Sequence, residues 1–162
     1  MSIFCILIFG CTNPFAPKLD ENFEDLKPPV SDQTDLEGVF QNFQYAYTFR
    51  DTTIYSGLIT SDFTFTYRDY DQGFDVTWGR DEEMRTTYGL FQNAQRLDLI
   101  WNNIILITQD SLNANIVRSF NFTITFNPTD VVRVDGRVNL TIKKDIATNR
   151  WRMSRWIDES NF

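Results

Sequence analysis

The sequence predicts an α+β domain, a curved antiparallel sheet with N-terminal helices packed on one face. Three observations carry that expectation. Helical spacing of apolar residues, broken by one short strand, runs up to Asn93, strand-like runs that are mostly alternating fill the remainder, and turn residues cut that part into pairable strands. Helices followed by a strand meander make an α+β layout in which one sheet face buries the helices.

The elements follow in order. In TDLEGVFQNFQYAYTFRD, Leu36, Val39, Phe40, Phe43 and Tyr47 lie at helical spacing, and Thr34 with Glu37 forms a capping-box pattern. A short helix or turn is expected around Thr53 to Ile59. DFTFTY then places Phe63, Phe65 and Tyr67 on one strand face. RDEEMRTTYGLFQN reads as a helix, with Asp81, Glu82 and Glu83 in a first turn that favours negative charge and with Met84, Tyr88 and Phe91 as its buried stripe. Leu97 to Ile107 is more continuously apolar and predicts a strand covered on both faces. SFNFTITF alternates strictly, with Phe120, Phe122, Ile124 and Phe126 on one side. After the Asn127-Pro128 turn, Val134, Val138, Leu140 and Ile142 repeat the pattern, and IATNR turns into the last strand, WRMSRWID.

Composition excludes several functions. The 162 residues, 42% hydrophobic, suffice for one domain with a substantial core. A net charge of -7, without a Lys/Arg stripe, argues against nucleic acid. Histidine is absent, so neither Ser-His-Asp nor Cys-His catalysis can be built within the chain. Asp69, Asp71 and Asp75 around Gly73 lack the spacing and the terminal Glu of a calcium loop, and read as a solvated acidic loop before the third helix. No metal and no cofactor is expected.

The N-terminus points to export. Met1 to Pro17 carries no charged side chain, and the apolar run is too short to span a bilayer, for which about 20 residues are needed. Ile8, Phe9, Gly10 and Cys11 resemble a bacterial lipobox, so residues 1–10 read as a lipoprotein-type signal peptide and Cys11 as the lipidated residue. The other reading is a buried N-terminal strand with Cys11 an inert thiol. Residues 11–32 hold four of the five prolines and read as a tether, leaving 33–162 as the domain. The expected location is the bacterial cell envelope, lipid-anchored and facing the periplasm or cell exterior. Asn121 and Asn139 match the glycosylation sequon and keep a eukaryotic secreted protein as the alternative.

The aromatic first helix, the LITSDFTFTY step into the first strand, the helix after WGRDEE and the final WRMSRWID strand resemble the nuclear transport factor 2-like superfamily, with its SnoaL-like and ketosteroid isomerase-like groups. The resemblance covers residues 33–162 and implies a cone with an interior pocket. Isomerase-like members use an acidic base and a tyrosine donor, and dehydratase-like members use a His-Asp pair that this chain lacks. Tyr47 could serve as donor, but Asp98, Asp135 and Asp145 read as solvent-facing, so no catalytic residue is assigned. Arg118 keeps phase with Phe120, and Arg155 with Trp151 and Met153, which points both guanidinium groups to the apolar side. There they either pair or snorkel at strand ends, or they face a pocket walled by Trp101, Phe122 and Trp156. The expected function is a noncatalytic, lipid-anchored binding or interaction module. Its partner is a small amphipathic molecule, an acid in the arginine-lined case, or an envelope protein, and a dimer is left open. The alternative is a lyase or isomerase using a carboxylate and Tyr47.

Overall fold

The computed structural model describes residues 30–160, so the expected signal peptide, Cys11 and nearly all of the tether lie outside the described residues. Three helices, α1 (Leu36–Phe49), α2 (Thr52–Leu58) and α3 (Arg80–Asn93), cover one face of an open six-stranded sheet. The strands are β1 (Ile59–Asp69), β2 (Phe74–Gly79), β3 (Arg96–Gln109), β4 (Asn113–Asn127), β5 (Asp130–Asp145) and β6 (Arg150–Asp158), in the spatial order β2-β1-β6-β5-β4-β3. All pairs are antiparallel except β1 with β6, which is what lets the last strand lie beside the first. Among the described residues no helix is long and apolar enough to cross a membrane.

Helix α1 buries the predicted stripe: Val39, Phe40, Phe43 and Tyr47 are all at most 6% exposed. Its cap is one residue later than expected. Asp35 accepts from Gly38 N at 2.7 Å, while the Thr34 hydroxyl donates to Asp32. A carboxylate caps better than a threonine and also meets the positive helix end. Glu37 is thereby released to pair with Arg118. Asp51 caps α2 through Thr53 N and Ile54 N, which fixes the corner after α1.

Three further expectations change. The loop between β1 and α3 contains strand β2, and the acidic run contracts to a hairpin turn at whose tip Gly73 takes a φ of 76°. Asp69 holds that turn through Gln72 N, and Asp75 pairs with Arg68 at 3.0 Å across the hairpin. The stripe of α3 is Glu83, Thr87 and Phe91, and Tyr88 points to solvent. Strand β3 is not covered on both faces: it is a sheet edge, and Ile100 and Ile104 to Ile107 are 44–58% exposed. Two register shifts, after Trp101 and after Ile104, change the side-chain phase where the strand runs beyond α1.

Candidate functional site

The helices and the concave sheet face enclose a cavity of about 310 Å³, at the lower end of the range of small-molecule pockets. Its walls are mainly aromatic. Phe43 is the hub, with ring centroids 4.8 Å from Tyr47, 5.3 Å from Trp101 and 5.4 Å from Trp156. Phe65 stacks on Trp78 at 4.6 Å and meets Trp156 edge-on at 5.0 Å. Alternation on β1, β4 and β6 and the 3–4 spacing on α1 bring these rings together.

Tyr47, Trp101, Phe122 and Trp156, all singled out by sequence, line this space. The two arginines do not. Arg118 lies on the concave side but is engaged by the protein: its Nε donates to Asn102 O at 3.0 Å, its Nη1 pairs with Glu37 at 2.9 Å, and its guanidinium lies 4.6 Å above the Phe40 ring. It ties α1 to the irregular stretch of β3. Arg155 points away from the cavity and is exposed. The register of β6 against β5 slips between Met153 and Arg155, so Ser154 is an extra residue and the phase reverses beyond it. Trp156 and Asp158 therefore face inward in place of Arg155.

Two acids missing from the sequence-based candidates line the cavity. Glu83, on α3, is 4% exposed and accepts from the Tyr55 hydroxyl at 2.5 Å, the Thr87 hydroxyl at 3.1 Å and Trp78 Nε1 at 2.8 Å. Its signal was a phase: four and eight residues back from Phe91 lie Thr87 and Glu83. Asp158 ends β6 and accepts from Ser160 N at 3.1 Å and from the Ser160 hydroxyl at 2.8 Å. Burial raises its carboxyl above the usual value of 3.8, against the effect of the Ser160 bonds. Ser160 sits there because Gly136 is bare: a Cβ at Gly136 would lie 2.6 Å from that of Ser160.

Tyr47 is buried beside these groups. Burial first, then the charge of Glu83, pushes its hydroxyl far above the ordinary tyrosine range, so it stays protonated and acts only as a hydrogen-bonding group. Tyr55 is raised for the same leading reason. Trp101 Nε1 donates to Phe40 O at 3.0 Å, whereas the buried Trp156 Nε1 has no hydrogen-bond partner among the described residues. Asp98, Asp135 and Asp145 lie elsewhere: Asp98 pairs with Arg96, Asp135 accepts from Asn121, and Asp145 holds the β5-β6 turn. Among the described residues no group of three or more His, Cys, Asp or Glu is arranged to hold a metal.

Helices over the mouth of a curved sheet, with an aromatic interior, define a cone-shaped α+β fold. It is the nuclear transport factor 2-like fold. A superfamily protein of that name from Salmonella enterica aligns with a TM-score of 0.65 at 15% identity, over 81% of this chain and 92% of its own. A protein from Novosphingobium aromaticivorans named for scytalone dehydratase gives 0.66 at 18% identity, over 78% and 81%. A conserved protein from Planctomyces limnophilus gives 0.68 at 14% identity, over 80% and 98%. No protein-family profile and no curated protein sequence matches the chain.

Proposed function

We propose that the chain is a noncatalytic binding module that holds one small, largely apolar molecule inside the cone. The observation that carries this reading is the aromatic cavity of about 310 Å³, walled by rings from α1, β1, β2, β3, β4 and β6. Against catalysis stands the engagement of the acids: Glu83 already serves three donors, and Asp158 is held by Ser160.

The expected preference for amphipathic acids is withdrawn, because it rested on Arg118 and Arg155 and neither lines the cavity. Calorimetry with 2-naphthylmethanol, an aromatic body with one acceptor oxygen, is expected to give a dissociation constant on the order of 0.1 mM. Leu99→Trp, which fills the cavity from β3, is expected to weaken binding at least about tenfold. Circular dichroism checks its folding, and Val134→Phe supplies a second obstruction. Binding unaffected by both would sink the reading.

The enzyme reading keeps one observation in its favour, the inward Glu83 beside Tyr55 and Tyr47. It requires the substrate to reach Glu83 past the side chains of Tyr55, Trp78 and Thr87 that already bond it. Proton exchange from a bound ketone, lost in Glu83→Gln, would support it.

Anchoring at Cys11 in the cell envelope is the other half of the proposal and rests on the apolar run, Gly10 and the proline-rich segment after it. Cys11→Ser is expected to move the protein from the detergent phase to the aqueous phase. Unchanged partitioning would count against the lipobox.

A further inference from the structure

We infer that the molecule held in the cone carries a positive charge: a small organic cation, a quaternary ammonium or protonated amine with apolar or aromatic substituents. The inference builds on the binding reading above and adds a charge to it.

Among the described residues two acids line the cavity, Glu83 from α3 and Asp158 from the end of β6, and no Lys or Arg does. Neither acid belongs to an ion pair among the described residues. The nearby cations are engaged elsewhere. Arg80, three residues before Glu83, donates to the carbonyls of Ser56, Ile59 and Thr60. Arg68 and Arg137 share a surface groove with Asp158, but they pair with Asp75 at 3.0 Å and Glu159 at 3.7 Å. The cavity interior is therefore negative, and charges removed from water interact more strongly across a low dielectric. The field of both acids reaches Tyr47, whose hydroxyl they help to keep protonated.

The walls suit the same ligand. Trp78, Trp101, Trp156, Phe43 and Phe65 surround the space, and aromatic faces attract ammonium groups through their quadrupoles, Trp most strongly. An anion would meet two acids and, among the described residues, no cationic side chain. A neutral molecule would gain the burial but leave both acids without a counter-charge.

The test compares three probes of nearly one shape against the full chain: phenyltrimethylammonium, its neutral isostere tert-butylbenzene, and the anion 4-tert-butylbenzoate. Tryptophan fluorescence is expected to report the cation binding at least about tenfold tighter than the isostere, and the anion weakest. Asp158→Asn is expected to lower the cation's affinity about tenfold and bring the pair level. Equal affinities for cation and isostere would overturn the inference while leaving the cavity reading intact, as would an anion that binds best. If none of the three binds, the cavity reading itself falls, and this inference with it.

Discussion

Glu83→Leu should destabilise the domain by about 2–6 kcal/mol, because it strands two or more buried donors at about 1–3 kcal/mol each. Tyr55, fully buried, loses the acceptor of its hydroxyl, and Trp78 and Thr87 lose theirs. An opposing effect exists, since the substitution also removes a buried carboxylate with no cation beside it. The unmade hydrogen bonds should outweigh it, because three donors are left against one desolvated acceptor. A chemical-denaturation series decides. Tyr55→Phe in the Glu83→Leu background should recover part of the loss, since it removes one of the stranded donors. A Glu83→Leu protein as stable as the parent would mean that burying the charge costs as much as its hydrogen bonds return.

Phe43→Ala is the other large effect, about 3–5 kcal/mol. The ring is 2% exposed, stacks on Tyr47 and meets Tyr55, Trp101 and Trp156 edge-on, so its removal joins new empty volume to the existing cavity and strips a ring contact from four aromatic neighbours. Tyr88→Ala is the matched comparison. Tyr88 belongs to the stripe that sequence spacing predicts for α3, yet it is 54% exposed, so the change should stay within about 0.5 kcal/mol. Similar losses at the two positions would mean that α3 is rotated from the phase described.

That contrast shows where sequence reading stops. The bounds of α3 are legible, since Arg80 to Asn93 is a polar-faced helical run, but its rotation is not, because a first-turn acid suits the helix dipole on any face and Glu83 is buried by partners from α2 and β2. On β4 and β5, alternation sufficed: Phe120, Val134, Val138, Leu140 and Ile142 are all buried as their period predicts. Alternation failed on β6, where Ser154 is an extra residue and turns Arg155 outward and Asp158 inward. A bulge of one residue leaves little trace in composition. Strand β3 misled for another reason. Apolar content marks a strand but not its place in the sheet, and the edge position leaves Ile104 to Ile107 open on both sides. The four aromatic pocket residues were recoverable because large rings dominate an interior wherever the backbone faces it. The acids needed the tertiary fold.

The claim that the cone is a ligand cavity can be read at four nuclei. Trp78, Trp101 and Trp156 line it, whereas Trp151, the remaining tryptophan, is buried on β6 outside it with Lys144 Nζ 5.5 Å from its ring centroid. A ¹H–¹⁵N spectrum of the indole groups, titrated with 2-naphthylmethanol, should shift the Trp78, Trp101 and Trp156 signals together along one binding curve and leave Trp151 in place. Four unmoved signals, or a Trp151 shift as large as the others, would contradict the account.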